Sequence, residues 1–369
     1  MSTEQTNSVP ASKEPERTQR PGVLRRIGRS LLHHREASIM IAGILLVIYF
    51  QSTAPVFLSA SNISNLAVFA ATTAIIAAGE VMVIIAGEID LSVGQVYALA
   101  PFVMFYSHQA GVPYLLAIAL GLGVGIVVGL INGMITVLLR IPSFITTLGT
   151  FFFINGFTLS ISGGFPVQPE ADPVIVPLFG GNALSQFLWA VGVTVLLQFV
   201  LVKTRWGLHT IATGGNPIGA AEVGIKTTRI KIGNFVLCSM LGGLAGILDC
   251  FRISSADPLA GGADIMFMAI ASSVIGGTLL TGGSGTIIGA FLGAVVLGIL
   301  KDGFTLSGVS AFTFDMILGA AILLTMLINV HLSRLRAAGR SVCVKKFCGL
   351  RMYRSRLAGS RPCETLPFA

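Results

Sequence analysis

The sequence has few charged residues, and this excludes the commonest class of protein. Only 11% of its 369 residues are Asp, Glu, Lys or Arg, whereas about 25% is usual in a water-soluble globular domain. Hydrophobic residues make up 53% of the chain, and the mean hydropathy is +0.84. The composition therefore predicts an all-α polytopic membrane protein that has membrane lipid as its main surrounding.

Cysteine and histidine are scarce as well, which argues against disulfide-rich and metal-dependent proteins. Two of the five cysteines, Cys238 and Cys250, fall in apolar runs, and the other three, Cys343, Cys348 and Cys363, fall in a basic tail. This distribution does not indicate a disulfide framework. The five histidines show no metal-ligand spacing. We therefore predict no metal, no cofactor and no bond chemistry in this chain, which would not be an enzyme.

The sequence also lacks a nucleotide-binding loop. The string TGGSGTIIG at 281–289 is rich in glycine, but a phosphate-cradling loop needs G-x-x-x-x-G-K-[ST], and that string occurs nowhere in the chain. Any ATP hydrolysis that drives this protein would therefore take place on a separate subunit.

Long apolar runs are abundant. A membrane-spanning helix needs about 17 to 25 predominantly apolar residues, and ten such runs can be placed. Glycines and charges interrupt the runs at 79–94 and at 276–285. The ten predicted spans are roughly 37–56, 63–86, 91–108, 113–139, 143–162, 184–202, 232–253, 264–281, 285–303 and 311–331.

Basic residues are distributed unevenly between the two ends of these spans. With the N-terminus in the cytoplasm, 22 of the 24 Lys and Arg residues lie on the cytoplasmic side, as the positive-inside rule requires. The net charge of +8 is thus explained by topology, and it does not call for a nucleic-acid partner. We expect a basic cytoplasmic tail at 1–36, a transmembrane domain at 37–331 with a cytoplasmic loop at 203–231, and a basic cytoplasmic tail at 332–369. The last of these is expected to be disordered.

The start of the chain could be mistaken for a secretory leader, because a basic stretch precedes the apolar core at 39–50. Nine further spans follow, and cleavage would upset the charge distribution. We therefore expect the first span to be retained as an uncleaved anchor.

The loop at 203–231 contains a sequence typical of a very short helix. In GNPIGAAEVGI, Asn216 suits the N-cap, Pro217 the first helical position and Gly224 the residue just past the end. Ala220 and Ala221, together with Ile218, Val223 and Ile225, are expected to form an apolar side. Because so short a helix is unstable alone in water, it needs its flanks or the groove of a partner protein for support.

Two acidic residues interrupt apolar sequence in AGEIDLSVG, at the junction of the second and third spans. Charges near a membrane interior commonly line a pathway or pair with a cation, so Glu88 and Asp90 are candidates for gating. Alternatively, Asp90 or Ser92 accepts backbone N–H bonds where the helix at Leu91 begins. The two interpretations are compatible.

The fifth span begins with a stripe of hydroxyl groups. After Pro142, the residues Ser143, Thr146, Thr147 and Thr150 recur at offsets of 3, 4 and 7, and therefore share one helical face. These hydroxyls could pass a polyhydroxylated solute, or they could bond to their own helix and to neighbours. The second interpretation is the one we favour.

Two further patterns suggest packing rather than chemistry. Glycines recur every four residues on the fourth span and again on the ninth. Such faces allow helices to pack backbone against backbone, which we favour, and the alternative is that the glycines serve as hinges during gating. Asp249 and Arg252 are three residues apart near the end of a span and are expected to pair with each other or to meet the membrane interface. The glycines in question are Gly121, Gly125, Gly129 and Gly133, and then Gly285, Gly289 and Gly293.

In order along the chain, several of these strings resemble the inner-membrane permease subunits of bacterial ABC importers for monosaccharides, the family of the ribose, xylose, arabinose and autoinducer-2 permeases. The resemblance covers roughly residues 40–330. It is carried by GEIDLSVG (87–94), NG (132–133), IPSFITTLGT (141–150), GGNPIGAAEVGI (214–225), ADPLAGGADIMFMAIASSVIGGT (256–278) and GGSGTIIGA (282–290).

The resemblance implies an ABC importer permease fold in the bacterial inner membrane, with no bond chemistry in this chain. It implies three protein partners: ATP-binding cassette ATPase subunits, a periplasmic sugar-binding protein and a second copy of the chain. It also implies roles for particular residues. A coupling helix to the ATPase would comprise Asn216, Pro217, Ala220, Ala221, Glu222, Gly224 and Ile225. The candidate pathway and gating residues are Gly87, Glu88, Asp90, Leu91, Ser92, Gly94, Asn132, Ser143, Thr146, Thr147 and Thr150.

Two departures from the family pattern stand out: Glu88 occupies a position that is often glycine in the family, and 332–369 extends past the usual end. The expected function is a permease for a monosaccharide or similar small polyol. The alternative is an ATP-independent secondary transporter or channel, because broken helices and buried acidic residues also suit ion coupling. That alternative gives no reason for the loop at 203–231.

Overall fold

The computed structural model describes residues 35–170 and 172–310, followed by the isolated positions 313, 316–317, 319–320 and 323. Twelve helices account for most of the described residues, and one isolated bridge joins Val167 to Ala256. The helices are α1 (Arg35–Thr53), α2 (Ala60–Ile85), α3 (Val93–Gln109), α4 (Tyr114–Leu138), α5 (Ser143–Ser162), α6 (Ile175–Leu178), α7 (Ala183–Lys203), α8 (Arg205–Gly215), α9 (Pro217–Glu222), α10 (Thr227–Ile253), α11 (Gly262–Ile275) and α12 (Ile287–Leu306).

Seven of these helices are long and apolar enough to cross a membrane: α1, α2, α4, α5, α7, α10 and α12. The predicted all-helical membrane fold is therefore confirmed. The third and eighth predicted spans correspond to α3, which has 17 residues, and to α11, which has 14. Neither is among these seven helices, and each adjoins a non-helical segment, 86–92 before α3 and 276–286 after α11.

Helix α2 lies at the centre of the bundle. Buried residues make up 89% of its most apolar stretch, compared with 72% for α10 and 17% for α1. Large apolar side chains on α1, α4, α5 and α7 are exposed, as expected for helices that face lipid. Helix α2 is therefore surrounded by the other helices along most of its length.

Helix α4 packs closely on α10, and glycine makes this possible. A methyl group added at Gly125 would lie 2.6 Å from the carbonyl oxygen of Ser239, and one at Gly129 would lie 2.5 Å from that of Phe235. Gly133 continues this contact against Ile232 of α10, and Gly121 lies against both Ala100 of α3 and Ile247 of α10. The packing interpretation of this glycine face is confirmed.

The glycines around α12 play the same part. A methyl group at Gly289 would lie 2.2 Å from the carbonyl oxygen of Gly276, and one at Gly293 would lie 2.2 Å from that of Ser272. Gly285, which precedes α12, is close to the Thr278 side chain. The glycine-rich string at 281–289 therefore serves helix packing.

The largest differences from the predicted bounds lie in the 203–231 segment and at the end of α11. The segment at 203–231 is mostly helical: α8 precedes α9, and α10 begins at Thr227 rather than at 232. Helix α11 ends at Ile275, before Gly277 at φ +90°, rather than at 281. The predicted tails at 1–36 and 332–369 lie outside the described residues except for Arg35 and Glu36, and so does most of the tenth span at 311–331.

Helix α7 separates two connecting regions and places them at opposite ends of the bundle. The loop at 163–182, with the short helix α6, precedes α7, and the α8–α9 segment follows it. Below, the end of the bundle that carries α8 and α9 is called the α9 end.

Candidate functional site

Helix α9 forms as the sequence predicts. Asn216 adopts an extended backbone, and its side-chain oxygen Oδ1 accepts a hydrogen bond from the Gly219 N–H at 3.0 Å. At the other end, the Ile225 N–H donates to the Ala220 carbonyl oxygen and the Gly224 N–H donates to that of Ala221, both at 3.0 Å. This is a Schellman motif, and Gly224 takes the left-handed position at φ +86°.

Two aliphatic side chains are exposed, one near the start of α9 and one just past its end. Ile218 is 73% exposed and Val223 is 77% exposed, whereas Ala220 is 5% exposed and faces the protein. The predicted apolar side is therefore not a single surface, because Ala220 is buried against the protein whereas Ile218 and Val223 face the surroundings. Ala221 and Glu222 are also exposed. A preformed helix with two exposed aliphatic side chains suits an apolar groove on another protein.

The residues just before α9 pack against the end of α2. A methyl group added at Gly214 would lie 1.7 Å from the Ile85 carbonyl oxygen, which also accepts a hydrogen bond from the Gly283 N–H at 2.8 Å. Gly282 lies close to both Gly214 and Gly87. Backbones from α2, α8 and the loop before α12 therefore meet here, and we call this contact the glycine junction.

Residues 86–92 form a non-helical break between α2 and α3. Within the break, Gly87 takes a left-handed backbone conformation, with φ +84°. Asp90 is fully buried in it. Its Oδ1 accepts hydrogen bonds from the Ser92 N–H at 2.9 Å and the Ser92 hydroxyl at 2.7 Å, and its Oδ2 accepts one from the Ser239 hydroxyl at 3.0 Å. The expectation that Asp90 accepts a backbone N–H where α3 begins is confirmed. The gating role stays a prediction.

The break runs beside α10, and a series of contacts follows it. Near the α9 end, Lys231 Nζ lies 2.5 Å from Glu88 Oε1. Farther along α10, Ser239 bonds to Asp90, and Val93 then packs against Gly242, where an added methyl group would lie 2.6 Å from the Val93 side chain. Glu88, the departure from the family pattern, therefore has a specific partner.

Three of the predicted pathway residues form one hydrogen-bond chain. Asn132 Nδ2 donates to Ser92 Oγ at 2.8 Å, and the Thr150 hydroxyl donates to Asn132 Oδ1 at 2.6 Å. Two others of the set have packing contacts, since Leu91 is buried and a methyl group added at Gly94 would lie 2.0 Å from the Gly262 carbonyl oxygen. The break is thereby tied to α4, α5 and the start of α11.

The hydroxyl stripe on α5 is largely satisfied within the protein. The Ser143 hydroxyl oxygen accepts a hydrogen bond from the Ile89 N–H at 3.2 Å, and Thr147 donates to the Ser143 carbonyl at 2.8 Å. Thr146 is different, because its buried hydroxyl has no partner among the described residues. Thr146 and Thr150 both line an open groove of about 540 Å³ between α3, α4 and α5, whose other lining residues are apolar.

Several contacts at this site were missed by sequence reasoning. Asn234 is buried, donates to the Met82 carbonyl oxygen at 3.0 Å and accepts from Trp206 Nε1 at 2.9 Å, so it joins α8, α10 and α2. Glu80 is fully buried on α2, and its Oε1 accepts a weak bond from the Cys238 thiol at 3.6 Å. A polar residue inside an apolar run was the available signal in both cases.

The opposite end of the bundle carries a second polar cluster. Arg252 pairs with Asp249, with Nε and Nη2 each 2.8 Å from Oδ1, and the Tyr97 hydroxyl donates to Oδ2 at 2.5 Å. The predicted pairing of Asp249 with Arg252 is confirmed. In the connecting loop, the N–H groups of Ile175 and Val174 donate to Asp172, which lowers the pKa of that exposed carboxyl.

The chain is similar to known transport proteins along most of its length. The profile of the family described as branched-chain amino acid transport system / permease component matches residues 62–326. The chain is 37% identical over 308 residues to the xylose/arabinose import permease protein XylH of Sulfolobus acidocaldarius, covering 81% of this chain and 86% of that protein.

Two ribose import permease proteins named RbsC are similarly related. The one from Escherichia coli (strain K12) is 34% identical over 305 residues, covering 80% of this chain and 93% of that protein. The one from Bacillus subtilis (strain 168) is 38% identical over 291 residues, covering 77% and 89%. No solved structure matches the chain.

Proposed function

The chain belongs to the family of branched-chain amino acid transport system / permease components, and from this membership we propose that it is the permease subunit of an ATP-binding cassette importer for a monosaccharide. The relatives named for xylose, arabinose and ribose import support the substrate class. ATP hydrolysis then belongs to separate cassette subunits, and a periplasmic sugar-binding protein delivers the solute.

The observation that carries the proposal is the geometry of α9. It is a rigid, capped helix with exposed Ile218 and Val223, and the glycine junction links its N-terminal flank to α2. A cassette subunit that binds α9 in a groove would move a helix attached to the bundle centre. We assign α9 as the coupling helix on the cytoplasmic side, which the basic residues of 203–231 favour.

The membrane pathway is proposed to form between two copies of the chain, along the groove between α3, α4 and α5. Thr146 and Thr150 are the two hydroxyl-bearing residues that line that groove, and neutral sugars need hydrogen-bond partners more than charges. The chain Ser92–Asn132–Thr150 then connects the groove to the break. Movement of the break would thereby change the pathway.

Docking is tested by co-purification with the cassette subunits. Ile218→Asp or Ala221→Asp places a charge on the exposed surface of α9. Each is expected to lower recovery of the cassette at least about tenfold, since a residue at the centre of an interface contributes about 2 kcal/mol or more when it is a hot spot. Val174→Asp is the matched control: Val174 is equally exposed, at 73%, but lies at the opposite end. Unchanged recovery for the α9 variants would refute the assignment.

Helix termination by Gly224 is tested separately. Gly224→Val forces a β-branched residue into φ +86° and is expected to uncouple ATP hydrolysis from uptake while membrane insertion is normal. Gly224→Asn is the control, because Asn tolerates the left-handed region. Uptake driven by an ion gradient, in a preparation without any cassette subunit, would instead support a secondary transporter.

A further inference from the structure

We propose that the Glu88–Lys231 ion pair is a mechanical link that makes the break between α2 and α3 follow the movement of α9. Lys231 Nζ lies 2.5 Å from Glu88 Oε1, and both side chains are mostly buried, with 21% and 14% exposure. A partly buried pair is screened less by salt than a surface pair. The inference rests on the proposed function, since it needs α9 to be moved by a partner.

The residues before α9 and the residues after it both contact the same short segment, 85–88. Before α9, Gly214 lies against the carbonyl of Ile85. After α9, α10 begins at Thr227, and Lys231 on its second turn pairs with Glu88. The two contacts fall only three residues apart on the α2 side, at Ile85 and Glu88. A displacement of α9 therefore reaches the start of the break from both directions.

The break itself passes this displacement into the bundle. The residue after Glu88, Ile89, donates its N–H to Ser143 on α5, and Asp90 bonds to Ser92 and to Ser239 on α10. Ser92 in turn accepts from Asn132 on α4. Glu88 is thus the first of a continuous series of polar contacts that ends at the groove, and Lys231 attaches that series to the coupling segment.

An ion pair suits this role better than an apolar contact would. The backbone N–H groups of residues 86–88 donate to carbonyl oxygens of α2 and not to α10, and an apolar contact has no fixed direction. A charge-assisted hydrogen bond fixes both distance and direction. Glu88 and Lys231 are therefore positioning residues, which act on the pathway through the break and do not contact the solute.

The test uses the assembled transporter, with cassette subunits and binding protein, in proteoliposomes supplied with labelled D-ribose, D-xylose or L-arabinose. Glu88→Gln and Lys231→Met are each expected to lower sugar transported per ATP hydrolysed at least about fivefold, within the usual range for coupled residues. Lys231→Arg is expected to retain most of it. Lys203→Met, which removes an exposed charge at the same end of the bundle, is the matched control.

The double variant Glu88→Gln with Lys231→Met decides whether the two residues act as a unit. If they do, the double variant transports no less sugar per ATP hydrolysed than the more impaired of the two single variants. Losses that multiply, or single variants that transport like the wild type, would overturn the inference. Thermal unfolding midpoints near the wild-type value show that the variants are folded. If the wild-type assembly hydrolyses no ATP and moves none of the sugars, the proposed function fails instead.

Discussion

Two neighbouring glycines at the end of α8 have very different surroundings. A methyl group at Gly214 would lie 1.7 Å from the Ile85 carbonyl oxygen, whereas one at Gly215 would meet only the Gly283 Cα at 3.9 Å. The first position therefore requires glycine for backbone contact, and the second does not. Together they provide a matched pair for testing the glycine junction.

We expect Gly214→Ala to destabilise the protein by about 1–3 kcal/mol, because the added methyl group can be accommodated only by moving backbone. Gly215→Ala is expected to be neutral or slightly stabilising, since Ala is favoured over Gly in helices. Thermal unfolding of the purified protein in detergent measures both changes. Equal midpoints for the two variants would mean that the junction is looser than described.

The buried acidic residues differ in how fully they are satisfied. Both oxygens of Asp90 accept hydrogen bonds, whereas Glu80 Oε2 has no partner among the described residues. Asp90 thus holds the break to α10 through Ser239, and removing its side chain would also leave the buried Ser92 N–H without its acceptor. The sequence marked Asp90 as important but could not identify Ser239 as its partner.

Among the helices, α4 and α10 form the contact that depends most clearly on small residues. Gly129 lies against Phe235 and Val236, where a methyl group would come within 2.5 Å of backbone atoms, while the same group at Gly123 would meet nothing within 4 Å. Both glycines are on α4. Because they lie on different faces of α4, substitution at Gly129 tests packing against α10, whereas substitution at Gly123 tests the loss of glycine's flexibility alone.

Gly129→Ala is therefore expected to lower stability by about 1–3 kcal/mol through separation of α4 from α10. Gly123→Ala should leave stability unchanged or raise it slightly. The unfolding midpoint in detergent measures the first effect, and sugar uptake by the assembled transporter shows whether altered α4–α10 packing disturbs the pathway. A greater loss of stability at Gly123 would contradict the described helix orientation.

The helices could be predicted from sequence where long apolar runs define them. The prediction for α5 matches its bounds, 143–162, and those for α4 and α7 lie within one residue at each end. Helix α8 was missed because its buried residues are Gly207, Thr210 and Thr213, which produce no apolar periodicity. Local capping patterns, in contrast, were enough to predict α9.

The site could be predicted only in part. Asn216, Gly224 and Asp90 were identified because their roles depend on neighbouring residues in the chain. The Glu88–Lys231 pair joins residues 143 positions apart, and the glycine junction joins three separate segments. Contacts of this kind depend on how the helices pack, and one sequence does not specify which polar groups meet.

For the molecule in its membrane, the distribution of basic residues makes a testable prediction of orientation. Because α7 separates Val174 from Ile218, the two exposed side chains lie at opposite ends of the bundle. With α9 in the cytoplasm, a membrane-impermeant thiol reagent should label Val174→Cys in spheroplasts and Ile218→Cys only in inverted vesicles. Both variants are made in a background in which serine replaces all five native cysteines, of which Cys238 and Cys250 are buried.

The expected pattern follows from the cost of moving positive charge across the membrane during insertion, which retains loops rich in Lys and Arg in the cytoplasm. The segment 203–231 has five such residues, whereas 163–183 has none. Labelling of Ile218→Cys from outside intact spheroplasts would place α9 in the periplasm, out of reach of any ATPase. Both the coupling role of α9 and the Glu88–Lys231 link would then fail together, because each requires a cytoplasmic partner to move that helix.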